Sequence, residues 1–217
     1  MVDVADAAVV AILTRAPGTG GKSRLFAELG MRPDPALLTA LLLDTLDGTN
    51  APGVRRIIFV DPPEACADVH ALVPRGIEVR PQSTGTLGNR MHAAMTDLFD
   101  RGARAVVLVG SDLPEISARI VSDAFDLLAA DPETIVLGPA DDGGYYLIGA
   151  ARTTPPVFDG IAWGSADVLA QTAALAGQRG LSVALVDRLA DVDRVADLRR
   201  VRAARTGAWV RAHLRQE

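Results

Sequence analysis

An α/β fold, three-layered with helices on both faces of a mixed, mostly parallel sheet, is predicted by three features of the sequence. Apolar runs of strand length alternate with stretches whose apolar residues recur at helical spacing. Two of the predicted strands, 134–137 and 145–149, are joined only by residues 138–144, too short a link for a parallel crossover, so one of them runs antiparallel. The 217 residues, 49% hydrophobic and 23% charged with no repeat period, suit one globular domain spanning residues 1–217.

The elements follow in order. Residues 7–13 form a continuous apolar run ended by Thr14, Arg15 and a Pro/Gly cluster, which reads as a buried strand entering a loop. Over 34–46, Leu37, Leu38, Leu41, Leu42 and Leu46 keep helical spacing, and 54–60 is a strand closed by Asp61 and two prolines. A short helix at 64–72, a strand at 77–80, a helix at 87–99, a strand at 105–109 and a helix at 118–129 continue the alternation. After the close strand pair come a helix at 166–176, a strand at 182–186 and a helical region after Asp193. Its arginines, Arg194, Arg199, Arg200, Arg202, Arg205, Arg211 and Arg215, read as a solvated face.

Composition excludes several classes of function. A formal charge of −5 argues against a general nucleic-acid binder, and no apolar run approaches the ~20 residues of a membrane span. Cys66 is the single cysteine, so no intrachain disulfide forms. The N-terminal stretch carries aspartates rather than basic residues, so no export signal is expected and the cytoplasm is the expected location.

Candidate chemistry gathers in the loops after strands, where parallel sheets bind ligands. Of the 22 lysines and arginines only Lys22 is lysine, and it lies in such a loop, 15–25, beside Gly18, Gly20, Gly21 and Arg24. Glycines let backbone amides approach an anion while the two cations add charge, which suits a di- or triphosphate. The same stretch meets a relaxed phosphate-loop pattern, with Gly21-Lys22-Ser23 and a possible metal-binding Asp112 after a later strand. Against that alternative, Gly30, Pro33 and Pro35 halt the following helix after barely two turns. Asp112, in Gly110-Ser111-Asp112-Leu113-Pro114, faces the ligand crevice and could hold Mg²⁺, or it could cap the next turn. Asp141-Asp142-Gly143-Gly144-Tyr145-Tyr146 is an acidic turn feeding a strand, so the two tyrosines point to opposite faces. Asp191 and Asp193 could share a metal or cap the last helical region. Gln82, Gly85, Gly88 and Arg90 follow the strand at 77–80 and form a candidate base-reading or substrate-reading loop, with Gln82, Gly85 and Gly88 as candidate nucleotide-binding residues.

Taken together, Ala16-Pro17 with Lys22-Ser23-Arg24-Leu25, Gly85-Thr86-Leu87-Gly88, Gly110 to Pro114, Gly138-Pro139, Asp142 to Gly149, Trp163, and Asp191-Val192-Asp193 with Asp197-Leu198 resemble a known family over nearly the whole chain. That family is the GT-A-like nucleotide-diphospho-sugar transferases known as radical-SAM/selenodomain-associated transferases. More distantly, the chain is similar to the guanylyltransferases for molybdenum cofactor and for 2-phospholactate. The resemblance implies a Rossmann-like GT-A fold in which Lys22, Arg24 and Asp112 are catalytic. It further implies that Gln82 and Gly85 lie near the base, that Mg²⁺ sits on Asp112 and Asp193, and that Asp142, Gly143, Gly144, Tyr145 and Tyr146 face an acceptor. The chain departs from the family at Thr86, usually acidic, and at Arg194-Val195-Ala196, where the family has a Thr-Pro-Glu-like start. The expected activity is Mg²⁺-dependent nucleotidyl transfer to a small acceptor. Sugar transfer from a nucleotide-sugar, a phosphate-loop enzyme and a non-catalytic nucleotide binder stay open as alternatives, as does a homodimer.

Overall fold

A computed structural model describes residues 8–214; Ala7 of the first predicted strand and Arg215 lie outside the described residues. Seven strands pair into one sheet: β1 (Ala8–Arg15), β2 (Val54–Asp61), β3 (Glu78–Pro81), β4 (Ala105–Gly110), β5 (Thr134–Pro139), β6 (Tyr145–Ala151) and β7 (Ser182–Leu185). Their order is β3-β2-β1-β4-β6-β5-β7. β6 is antiparallel to both β4 and β5, whereas the remaining neighbours are parallel. The short link between the predicted strands thus becomes a reversal of β6.

Side chains alternate across the sheet as the strand period requires. On one face Val10 and Ile12 of β1 and Val107 and Val109 of β4 pack beneath α2 (Pro35–Gly48), α3 (Cys66–Leu72) and α5 (Ala118–Ala130). On the other, Val9, Ala11, Val106 and Leu108 meet α4 (Leu87–Asp100) and α6 (Val168–Gln178). The result is the expected three-layer sandwich. Helix starts follow local chemistry: the Asp34 carboxylate accepts from Ala36 N at 2.9 Å ahead of Pro35, and Thr86 forms a capping box with Asn89.

A further apolar cluster joins α1 (Ser23–Glu28) and α2 to the C-terminal region through Leu25, Phe26, Leu37, Leu41, Leu198 and Trp209. That region is two helices rather than one, α7 (Val195–Arg200) and α8 (Ala204–His213), because Val201 takes an extended conformation between them. Buried Asp44 of α2 accepts from Thr206 N at 2.7 Å and Arg205 N at 3.2 Å, fixing the start of α8. Among the described residues no helix is long and apolar enough to cross a membrane.

Candidate active site

The strand order reverses at β1, which has β2 and β3 on one side and β4 on the other, so the loops after β1 and β4 flank a crevice at their carboxyl ends. The loop after β1 makes a short 3₁₀ turn at Pro17–Thr19 and then passes through three consecutive positive-φ residues, Gly20 (86°), Gly21 (132°) and Lys22 (48°). Glycine adopts such φ values freely, but lysine does so at a cost of roughly 1–2 kcal/mol. Among the described residues Lys22 and Arg152 are the non-glycine residues with positive φ, and strain of this kind concentrates at functional positions. The loop therefore aims Lys22 in a direction that relaxed backbone would not give it.

The loop after β4 is shaped by Gly110, where a Cβ would come 2.8 Å from Asp112 Oδ1. It is anchored by Leu113 N, which donates to Thr45 Oγ1 at 3.0 Å. The carbonyl of Asp112 accepts from Val192 N at 3.1 Å, so the same loop carries the turn that holds Asp191 and Asp193. That turn lacks the Thr-Pro-Glu-like sequence, and two other acids serve in its place. Asp197 Oδ2 accepts from Arg194 N at 2.9 Å and Asp193 N at 3.3 Å, while Glu28 of α1 accepts from Val195 N at 3.0 Å and Arg194 Nη1 at 2.5 Å.

These supports converge three carboxylates on one ammonium. Lys22 Nζ forms an ion pair with Asp112 Oδ2, lies 2.5 Å from Asp193 Oδ1 and lies 4.0 Å from Asp191 Oδ2. Asp112, Asp191 and Asp193 each offer an oxygen, all within 4.8 Å of one another. Burial alone would push the Lys22 ammonium toward neutrality, but Asp112 and Asp193 outweigh it and hold the group charged, above the ordinary lysine range. Burial, with Asp112 adding, pushes Asp191 up to about 6 against the opposing pull of Lys22; Asp193 and Asp142 raise it further. Hard carboxylate oxygens at this spacing could hold a divalent cation such as Mg²⁺. Asp191 lies in the same cluster as Asp112 and Asp193, the two residues expected from the sequence to bind metal.

The cleft around this cluster is about 660 Å³. Gly20, Gly21, Lys22 and Arg24 line it, with Arg15 and Ser23 from the same loop; Gly18 lies outside its lining. Gln82 is buried beneath it, its amide donating to Thr14 O at 2.9 Å and Phe59 O at 3.0 Å, which ties β1 to β2. Gly85 and Gly88 also lie outside the lining. A Cβ on Gly88 would come 2.7 Å from Trp163 Nε1 and 2.8 Å from Phe158 O, so this glycine serves close packing. From the acidic turn, Asp142, Gly144, Tyr145 and Tyr146 reach the cleft. Gly143 instead presses against α6's approach, where a Cβ would lie 2.0 Å from Ala166 O.

The tyrosines divide as their alternation requires. Tyr146 packs in the face beneath α5 and donates from its hydroxyl to Asp187 O at 2.7 Å, whereas Tyr145 meets Trp163 edge-on at 6.3 Å between ring centres. Leu87 and Met91 of α4 and Leu38 and Leu41 of α2 complete the walls. Those four follow from helical apolar spacing, which marks a buried face without distinguishing core from cleft.

Comparison with known proteins places this geometry among relatives. Residues 45–165 match the family described as "Uncharacterized protein conserved in bacteria (DUF2064)". The chain is 32% identical over 182 residues to a 3-phospho-D-glycerate guanylyltransferase of Phenylobacterium zucineum (strain HLK1), covering 82% of this chain and 80% of the relative. A crystal structure from Desulfovibrio desulfuricans G20, described as a nucleotide-diphospho-sugar transferase, superposes with a TM-score of 0.80 at 30% identity, covering 95% of this chain and 96% of that one. The 4-diphosphocytidyl-2C-methyl-D-erythritol synthase of Anaerococcus prevotii DSM 20548 shares the fold at 12% identity, with a TM-score of 0.58 over 96% of this chain and 98% of that one.

Proposed function

Because the chain belongs to the DUF2064 family and is a GT-A-like transferase of the nucleotidyl/glycosyl class, we propose that it transfers a nucleotidyl group from a nucleoside triphosphate to a small acceptor. The observation that carries this reading is the meeting of Lys22 with Asp112, Asp191 and Asp193 at the mouth of a glycine-rich loop. The guanylyltransferase relative supports nucleotidyl rather than sugar transfer.

Asp112, Asp191 and Asp193 would hold Mg²⁺, which supplies charge neutralisation at phosphate oxygens. The positive-φ run at Gly20 and Gly21 leaves backbone amides free of Cβ obstruction along the polyphosphate. Lys22 and Arg24 oppose its charge, and Lys22 stabilises the negative charge that develops as the α-phosphorus is attacked. An acceptor oxygen forms the new bond to that phosphorus, the bond to the bridging oxygen breaks, and pyrophosphate leaves. Asp142, Gly144, Tyr145 and Tyr146 would face the acceptor.

Nucleoside triphosphates and nucleotide-sugars, each with and without Mg²⁺, distinguish the candidate donors. A ligand at 100 times its Kd stabilises the fold by about 2.7 kcal/mol, a readily measured shift in melting temperature. Mg²⁺-dependent stabilisation by at least one triphosphate, with pyrophosphate release when an acceptor is added, is the expected result. Stabilisation by nucleotide-sugars alone would overturn nucleotidyl transfer in favour of the sugar-transferase reading that the Desulfovibrio structure supports.

A further inference from the structure

Two anionic partners compete for the one ammonium of Lys22. Its Nζ lies 2.5 Å from Asp193 Oδ1, forms an ion pair with Asp112 and sits 4.0 Å from Asp191 Oδ2, whereas the polyphosphate of the proposed reaction calls on the same charge. Asp112 and Asp193 are also carboxylates that would hold the divalent cation. A cation bonded to those two groups at the roughly 2.1 Å typical of Mg²⁺ and oxygen would lie against an ammonium that stayed in place, with like charges in contact. The ammonium and a divalent cation are therefore rivals for one set of oxygens. The surroundings let the side chain leave while the fold stays still. After Lys22, α1 is held in place: Leu25 and Phe26 are buried, and Glu28 accepts from Val195 N at 3.0 Å and from Arg194 Nη1 at 2.5 Å. Before Lys22 the loop is loosely packed, since a Cβ at Gly18 would have no neighbour within 4 Å and those at Gly20 and Gly21 would have none nearer than 3.9 and 3.7 Å.

Given the nucleotidyl-transfer reading above, on which this inference rests, we propose that Lys22 is an internal counter-ion that gates the carboxylate cluster: a divalent cation alone is held weakly, and the cation and the triphosphate enter together. The triphosphate offers the ammonium a second anionic partner on the glycine turn beside it, and its oxygens complete the coordination of the cation. A cation arriving alone must shed water, which Mg²⁺ does reluctantly, and must also displace an ion pair in a partly buried site. With the triphosphate present, the displaced ammonium passes from one set of anionic oxygens to another and is never left unpaired. Arg24 lines the cleft from the same loop but forms no ion pair with the three carboxylates among the described residues, so the gate belongs to Lys22 and not to the loop's charge as a whole.

Two measurements on the full chain test the gate. Calorimetric titration with Mg²⁺ alone should show Lys22→Met binding the cation at least tenfold more tightly than the parent. Arg24→Met removes a charge of the same sign from the same loop and should change that affinity by less than about threefold, because an unpaired charge facing an open cleft is well screened. The second measurement uses the parent itself. Lys22 is the single lysine of the chain, so lysine labelled at its side-chain nitrogen gives one side-chain ammonium signal in magnetic resonance, sharp while ion pairs shield the group and broadened when it exchanges freely with water. In chelator the signal should be sharp, saturating Mg²⁺ alone should broaden it, and Mg²⁺ with the triphosphate should restore it at a new position. Equal tightening of Mg²⁺ binding in the two variants, or none in Lys22→Met, overturns the gate. So does an ammonium signal that keeps its position when Mg²⁺ and the triphosphate are both saturating, a result readable even if Lys22→Met fails to fold. Either outcome leaves nucleotidyl transfer standing provided a triphosphate still stabilises the chain and pyrophosphate is released, whereas absence of both would remove that reading instead.

Discussion

Replacing Lys22 with methionine removes the one positive charge that, among the described residues, directly pairs with Asp112 and Asp193 in the cluster, while keeping an unbranched side chain of similar reach. Two unit charges at 4 Å, the separation of Lys22 Nζ from Asp191 Oδ2, attract by about 1 kcal/mol in water and about 4 kcal/mol at an effective dielectric of 20. The Asp193 side chain is 41% exposed, so screening brings the net contribution toward the lower figure. Without added metal, Lys22→Met should therefore lower stability by about 1–2 kcal/mol, roughly 2–8 °C in melting temperature for a chain of this size. Turnover should fall by about a hundredfold or more, the typical loss when one transition-state charge contact is removed. Saturating Mg²⁺ should restore more stability to the variant than it adds to the parent, because the carboxylates no longer have an ammonium between them. Scanning calorimetry with chelator and with Mg²⁺, beside a pyrophosphate-release assay, reads all three effects. An unchanged melting temperature in chelator together with undiminished turnover would refute the assignment of Lys22.

Other perturbations probe the supports. Lys22→Arg keeps the charge but replaces a compact ammonium with a planar fork; the fold should persist while triphosphate affinity weakens, measured by calorimetric titration. Asp197→Ala removes the acceptor of Asp193 N and Arg194 N and should cost about 1 kcal/mol, with a larger relative loss of Mg²⁺ affinity than of stability. Asp44→Ala orphans the donors at the start of α8 and should destabilise by about 1–3 kcal/mol, seen as a lower urea midpoint. Gly143→Ala forces a Cβ against Ala166 O at a φ of 89°, and a melting temperature within error of the parent's would contradict the packing described for that turn.

Local chemistry carried most of the fold into the sequence. Strand alternation, the leucine spacing of α2 and the short link before β6 each depend on neighbours in the chain, so their outcome is legible in the chain. The division of the C-terminal region into α7 and α8 is not, because it is set by packing of Trp209 and Leu198 against α1 and α2, far away in sequence. The site divides along the same line. Lys22, Asp112 and the two late aspartates are readable because each follows a strand and carries an unusual residue type for its loop. Their meeting depends on Asp112 O accepting from Val192 N, a contact across the crevice that no spacing specifies.

The glycines show where such reading fails. Glycine has one appearance in a sequence and two distinct uses, freedom of φ and absence of a Cβ, and only the surrounding structure separates them. Gly20 and Gly21 use the first, at φ values that open the loop toward the cleft. Gly88 and Gly143 are required by close neighbours, Trp163 Nε1 in one case and Ala166 O in the other, and so shape the cleft from behind instead of touching what enters it. Gly88 has particular consequence for specificity, because the indole it accommodates lines the cleft edge-on to Tyr145, on the side proposed to face the acceptor. A side chain at position 88 would displace Trp163 without contacting either substrate. Gly88→Ala should therefore raise KM for the acceptor while leaving triphosphate affinity near that of the parent, and an equal loss for both substrates would place Trp163 on the nucleotide side of the cleft.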